Sequence, residues 1–80
     1  MKLPRDLSGT ELATALKRIG YTIHHQTGSH MRLSIETPFQ HRVTIPAHKQ
    51  LRVGTLAAIL DAVAAAAKME RLALQNKLFE

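Results

Sequence analysis

The sequence predicts an α+β fold with helices and strands in the order α-β-β-β-α. Apolar residues recur at helical spacing near the start of the chain and again over its second half. Three segments between those stretches alternate or are rich in β-branched residues, and their short connections favour an antiparallel three-stranded meander. Two helices over one face of that sheet make a two-layer domain. At 80 residues the chain is expected to form one domain, residues 1–80, around a modest core.

The first helix is predicted to run from about Gly9 to Ile19. Ser8 fits the N-cap position and Glu11 follows it at the spacing of a capping box. Gly20 is expected to end the helix, because glycine readily adopts the left-handed conformation of that position. The apolar stripe of this helix consists of Leu12, Leu16 and Ile19.

The three strands are separated by residues that favour turns. Thr27-Gly28-Ser29 supplies the first turn. Pro46 stops the third strand, because proline cannot donate a ladder hydrogen bond. The middle strand alternates between apolar and polar residues, which predicts one face in the core and one face in solvent. The predicted strands are Tyr21 to Gln26, Met31 to Thr37 and His41 to Ile45.

The pattern becomes helical again after a basic loop. Thr55 is predicted as the N-cap of the second long helix, or Gly54 if the helix begins one residue earlier. The alanine run Ala64 to Ala67 has high helix propensity, and neither glycine nor proline interrupts the chain from there to Glu80. The sequence leaves open whether the last segment continues this helix or is broken near Lys68.

The chain is basic, with a formal net charge of +5 and a pI of about 10.3. This charge suits an anionic partner, either a nucleic acid or an acidic protein surface. The absence of cysteine excludes disulfides and thiolate zinc sites. No apolar run approaches the roughly 20 residues of a membrane span, and the amino-terminal residues have no apolar signal-peptide core. The expected location is cytoplasmic.

The tripeptide Gly28-Ser29-His30 brings three useful groups to one strand-to-strand junction. Gly28 would let the backbone approach a phosphate closely, and the Ser29 hydroxyl or nearby amides could hold a phosphate oxygen. The imidazole of His30 suits acid–base chemistry near neutral pH. Arg32 follows at the spacing that shares a strand face with His30, so it could neutralise the phosphate. This combination indicates chemistry on a phosphodiester.

Several short motifs follow one another along the chain: Leu7-Ser8-Gly9, Leu16-Lys17-Arg18-Ile19-Gly20-Tyr21, Gln26-Thr27-Gly28-Ser29-His30, Val43-Thr44-Ile45-Pro46-Ala47-His48 and Leu51-Arg52-Val53-Gly54-Thr55-Leu56 with Ile59-Leu60. In order and spacing this set resembles the HicA-type toxins, the small ribonucleases (mRNA interferases) of HicAB toxin–antitoxin pairs. The resemblance covers about Leu3 to Val63. Family members often mark the turn before the last helix with glycine, where this chain has Ala67-Lys68-Met69.

The resemblance implies a double-stranded-RNA-binding-like fold, whose element order is also the one predicted above. It further implies cleavage of mRNA and a HicB-type antitoxin protein that covers the active site. No metal or other cofactor is expected, because RNA supplies its own nucleophile, the 2′-hydroxyl, and imidazole suits the proton transfers. In the family the histidine of the Gly-Ser-His motif is the catalytic residue, which is His30 in this chain.

The loop before the second long helix contributes further candidates for binding RNA. Lys49 and Arg52 make it basic, and a helix N-terminus with nearby basic residues can reach phosphates across a groove. His48 could support His30 or contact phosphate, or it could only hold the loop in place. The predicted set for RNA or phosphate binding is therefore Gly28, Ser29, Arg32, His48, Lys49 and Arg52.

The other histidines are weaker candidates, and His24 and His25 are expected to have structural or RNA-contact roles rather than a catalytic one. His24 and His25 are adjacent in a strand and so are expected on opposite faces, and His41 is expected to face solvent. No histidine pair has metal-ligand spacing, so no metal is predicted.

Two alternative functions remain: a non-catalytic RNA-binding module of similar fold, and a subunit whose basic face binds an acidic protein. The apolar residues of the tail could complete the core, or support a homodimer or a toxin–antitoxin hetero-oligomer. These residues are Met69, Leu72, Leu74, Leu78 and Phe79.

Overall fold

A computed structural model describes residues 6–80 and confirms the α+β class and the α-β-β-β-α order, to which it adds a separate third helix. Leu3, where the family resemblance begins, lies outside the described residues. No helix within residues 6–80 has the length and apolar character that crossing a membrane requires. The elements are α1 (Gly9–Lys17), β1 (Thr22–Thr27), β2 (His30–Ile35), β3 (His41–Pro46), α2 (Val53–Ala67) and α3 (Arg71–Phe79).

The three strands form one antiparallel sheet in the order β1-β2-β3, as the short connections predict. Side chains of β2 alternate between the two faces of the sheet, and cross-strand partners share a face. The helices cover one face, and the other face is open to solvent. The buried side chains of β2 are Met31, Leu33 and Ile35, and those on its open face are His30, Arg32 and Ser34.

A β-bulge interrupts the regular alternation of β1. Ile23 pairs with Leu33 and His25 pairs with Arg32, so the extra residue His24 lies between two consecutive partners of β2. In a bulge, two residues of one strand oppose one residue of the other. His24 and His25 therefore both oppose Arg32, and both are exposed. The prediction that they lie on opposite faces is wrong, because the bulge breaks the period of two on which it depends.

The predicted capping box at the start of α1 is present. The Ser8 hydroxyl accepts a hydrogen bond from the Glu11 N–H at 3.0 Å, and the Ser8 N–H donates to Glu11 Oε1 at 2.9 Å. The Ser8 N–H that donates to the Glu11 carboxylate is the main cause that lowers its pKa, and the Ser8 side chain adds to the effect. The helix ends at Lys17, two residues before the predicted end, and Gly20 adopts a φ of +117° in the connection to β1.

Gly9 is the point at which α1 meets the end of β3. A Cβ atom added to Gly9 would lie 1.9 Å from the Pro46 carbonyl oxygen, so no other residue fits without movement of the backbone. The Gly9 N–H donates a hydrogen bond to the His48 carbonyl at 2.9 Å. This close approach explains why glycine occupies the first position of the helix.

The start of α2 differs from the prediction, and its end answers a question that the sequence left open. The helix begins at Val53 with Arg52 as its N-cap residue, and no side chain caps it, so the predicted Thr55 or Gly54 cap is wrong. At the other end Lys68 adopts a left-handed φ of +56°, which ends α2 at Ala67. The question of a continuous or a broken last segment is therefore answered in favour of a break.

The break at Lys68 lets α3 fold back over the core. This helix packs against α1 and α2, and its Leu74 and Leu78 are almost completely buried. A straight continuation of α2 would carry both leucines away from α1 and expose them. The apolar tail thus completes the core, although Leu72 remains half exposed.

Tyr21 is almost fully buried and holds His41 in place. Its hydroxyl lies 2.8 Å from His41 Nδ1, and the two rings meet edge to face with centroids 6.1 Å apart. The Phe39 ring also meets the Tyr21 ring edge to face, at a centroid distance of 6.2 Å. His41 is therefore half-buried and structural, and the prediction that it faces solvent is wrong.

Burial raises the pKa of the Tyr21 phenol to about 12. Because the chain has only one tyrosine, its ultraviolet absorbance can be titrated without ambiguity. We expect a midpoint near 12 in the folded protein and about 10 in denaturant. Since the folded pKa is the higher one, the stabilising contribution is complete below about pH 10 and is lost as the pH rises toward 12. A folded-state midpoint near 10 would show that Tyr21 is solvated.

Candidate functional site

Gly28 and Ser29 form a two-residue hairpin turn between β1 and β2. Of the two central residues of the turn, Gly28 has a positive φ of +55° and Ser29 does not. This pattern matches a type II′ turn, which has glycine in its first central position. A Cβ atom added to Gly28 would meet no protein atom within 4 Å. Glycine is thus required here by backbone conformation, and the space beside it is open to a ligand.

His30 is the first residue of β2 and lies directly after this turn. It pairs with Thr27 on one side and Pro46 on the other. Its side chain is exposed on the open face, and Arg32 is the next residue of β2 on that face. Within residues 6–80 no side-chain hydrogen bond engages the imidazole, so both ring nitrogens are accessible to a substrate.

The loop that follows β3 is attached to this turn by its main chain. The Ala47 N–H donates to the Ser29 carbonyl at 2.5 Å, and the His48 carbonyl accepts from the Gly9 N–H. The structure therefore brings Gly28, Ser29 and His30 to the same end of the sheet as the loop of residues 47–52. The His48 carbonyl anchors this loop, and the His48 side chain is exposed beside it.

Lys49 and Arg52 are also exposed in this loop. Arg52 is the N-cap of α2, whose first turn contains no acidic residue. The unpaired N–H groups of a helix N-terminus carry a partial positive charge, which adds to that of the two side chains. Neither side chain forms an ion pair within residues 6–80, where the single ion pair is between Arg71 and Asp61.

The sheet itself carries no acidic residue. Its three strands contain two arginines and four histidines, and neither aspartate nor glutamate. A depression of about 300 Å³ lies at the opposite end of the sheet from His30, and the Glu36 carboxylate is among its lining groups. That carboxylate disfavours a phosphate ligand, so this depression is a poor candidate for RNA. Within residues 6–80 no group of three or more His, Asp or Glu side chains is placed to hold a metal ion.

Two residues of the open face, Arg42 and Thr44, were missed by sequence reasoning, which also did not establish that His24 lies on this face. Arg42 and Thr44 of β3 lie across from Ser34 and Arg32 of β2, and His24 joins them at the bulge. Alternation within β3 could have placed Arg42 and Thr44 on the polar face. No sequence signal indicated the bulge that adds His24.

Comparison with known proteins identifies the family. A family model described as the HicA toxin of bacterial toxin-antitoxin matches residues 9–64, more than half of the chain. The matched region runs from the start of α1 to near the end of α2, and it includes the hairpin turn, His30 and the basic loop. No curated protein and no solved structure matches significantly, so the double-stranded-RNA-binding-like description of the fold stays a prediction. The chain belongs to the HicA toxin family of bacterial toxin–antitoxin systems.

Proposed function

We propose that this toxin is an endoribonuclease that cleaves mRNA without a metal ion and uses His30 as its acid–base group. The observation that carries the proposal is the position of His30. It is exposed on the open face of the sheet, directly after a glycine turn with free space beside it. The family match covers this region and supports the toxin role.

RNA supplies its own nucleophile for this reaction. The 2′-hydroxyl oxygen attacks the adjacent phosphorus, the bond from phosphorus to the 5′ oxygen breaks, and a 2′,3′-cyclic phosphate forms. One group must accept the 2′-hydroxyl proton, and one must protonate the departing 5′ oxygen. Histidine is suited to either transfer near neutral pH. His30 takes one of these roles, and His48, Ser29 or water takes the other.

Basic groups around His30 hold the substrate in this proposal. Arg32 neutralises phosphate charge on the open face, and Lys49 and Arg52 do so from the loop. The open space at Gly28 admits a phosphate oxygen to the main-chain N–H groups of the turn. None of these three basic side chains is occupied by an ion pair within residues 6–80.

The partner in this proposal is a HicB-type antitoxin that covers His30. The open face and the basic loop are both exposed, so one protein could block the substrate-binding surface and the acid–base group together. Co-expression with such a partner is expected to restore growth to cells in which the toxin alone stops it.

Cleavage of a defined RNA tests the enzymatic proposal directly. We expect the purified chain to cut single-stranded RNA in the presence of EDTA and to leave 2′,3′-cyclic phosphate and 5′-hydroxyl ends. An RNA of the same sequence with 2′-O-methyl groups should remain intact, because its nucleophile is blocked.

A duplex of the same sequence establishes which form of RNA is the substrate. Binding to RNA without any cleavage would favour the alternative of a non-catalytic RNA-binding module. Cleavage that stops in EDTA, or products that end in a 3′-hydroxyl, would contradict the proposed mechanism.

A further inference from the structure

The open face of the sheet carries a second cluster of basic and polar groups beyond His30. We infer that Arg32, Arg42, His24 and Thr44 form a binding site for an RNA phosphate outside the bond that is cut. This inference rests on the proposed RNA substrate. It assigns a role to three residues, His24, Arg42 and Thr44, that the acid–base chemistry does not use.

The four side chains line one shallow depression of about 220 Å³. Arg32 pairs with Thr44 across β2 and β3, and Ser34 pairs with Arg42. Arg32 and Arg42 are thus diagonal neighbours on the same face, at a separation of about 7–8 Å in a regular antiparallel pair. From the other side, the bulge brings His24 opposite Arg32. The three strands therefore each contribute to one site.

The charges of this site lack an internal counterion. Arg32 and Arg42 carry like charges on diagonal positions of strands that contain no carboxylate, and neither forms an ion pair within residues 6–80. Glu36, directly after β2, lines the neighbouring depression together with Arg42 but forms no ion pair with it. Two exposed like charges at this separation repel each other weakly in the free protein. A bound phosphate removes this repulsion and accepts several charge-assisted hydrogen bonds from the two arginines. The bulge is consistent with this role, since bulges often re-aim side chains beside functional sites.

The chemistry of the face favours the RNA backbone over the bases. No Phe, Tyr or Trp lies in the strands, so the face lacks the large aromatic rings on which bases stack best. Its groups are hydrogen-bond donors that match phosphate oxygens. His30 lies two residues from Arg32 on the same strand, about 7 Å along β2, so a strand held at the site passes next to the acid–base group.

The salt dependence of binding to a 2′-O-methyl single-stranded RNA tests this site. That probe cannot be cut through its 2′ position, so the measurement does not depend on nuclease activity. For the double variant Arg32→Gln/Arg42→Gln we expect the affinity for RNA at low salt to fall by about tenfold or more. The slope of log K against the logarithm of the salt concentration should decrease in magnitude by about 1.4, because two phosphate contacts are lost. The variant Arg32→Lys/Arg42→Lys keeps both charges and should retain the wild-type slope.

The matched control Lys17→Gln/Lys77→Gln removes the same charge from the helical layer, where both lysines are exposed. It should keep the wild-type slope. An equal loss in this control would overturn the site, because net charge alone would then explain binding. If Arg32→Gln/Arg42→Gln binds RNA as tightly as the wild type, the phosphate site is overturned as well. The same holds if this variant binds RNA normally and loses only its affinity for an antitoxin protein. If the wild-type chain binds no RNA at all, the proposed ribonuclease function is overturned together with the phosphate site. If only the Arg32→Gln/Arg42→Gln variant loses RNA binding, both the proposed function and the phosphate site are supported.

Discussion

Replacement of His30 by alanine is expected to lower the rate of RNA cleavage by about 10²–10⁴-fold, the usual contribution of one positioned acid–base group. Binding of uncleavable RNA should change much less, because the phosphate contacts remain. The side chain is exposed and has no hydrogen bond within residues 6–80, so the free energy of unfolding should stay within about 0.5 kcal/mol of wild type. The measurement is the single-turnover cleavage rate beside a thermal unfolding curve.

Two comparisons give this result its meaning. Gln40→Ala, an exposed change in the β2–β3 connection at the far end of the sheet, should cleave at the wild-type rate. His48→Ala separates a catalytic role of that side chain from a purely structural role of the residue. A loss of cleavage rate comparable to that of His30→Ala would identify His48 as the second proton-transfer group. An unchanged rate would leave it only the structural role of its main-chain carbonyl. A His30→Ala protein that cleaves at the wild-type rate would remove His30 from the mechanism.

Gly9→Ala is expected to lower stability more than the same substitution at Gly20, Gly28 or Gly54. The new Cβ would lie 1.9 Å from the Pro46 carbonyl oxygen, which cannot move as a flexible side chain can. The helix must shift, and its hydrogen bond to the His48 carbonyl is lost or distorted. Overpacking and the lost bond together should lower the free energy of unfolding by about 3 kcal/mol or more, or the melting temperature by roughly 12–24 °C.

Gly54→Ala is the matched control for this prediction. Gly54 lies in the first turn of α2, and an added Cβ would meet nothing within 4 Å. Alanine there should be neutral or stabilise the protein by up to about 1 kcal/mol, because it reduces the freedom of the unfolded chain. Equal unfolding temperatures for the two variants would show that the contact between Gly9 and Pro46 is not tight.

Features that depend on a few neighbouring residues were predictable from the sequence. The capping box of Ser8 and Glu11 follows from side chains three positions apart, and the hairpin at Gly28-Ser29 follows from glycine's tolerance of positive φ. The exposure of His30 and Arg32 on one face follows from the alternation of β2. The candidate acid–base group could therefore be identified before any coordinates were known.

Features set by tertiary packing could not be predicted in this way. Lys68 takes a left-handed conformation that glycine normally supplies, because the burial of Leu74 and Leu78 against the core outweighs its local cost. The ring of His41 is held by the hydroxyl of Tyr21, which lies 20 residues earlier in the chain. The bulge at His24 depends on the register between two strands, which the residues of one strand do not reveal.

The main-chain ties around the hairpin turn also determine when the candidate site can form during synthesis of the chain. The His30 end of the sheet requires contacts between Gly9, Ser29, Ala47 and His48, which are distant in sequence. The last of these contacts in sequence come from Ala47 and His48, in the loop before α2. Residues up to this loop must therefore leave the ribosome before the Gly28–His30 turn is tied to α1, so a translation product that ends earlier lacks a formed site.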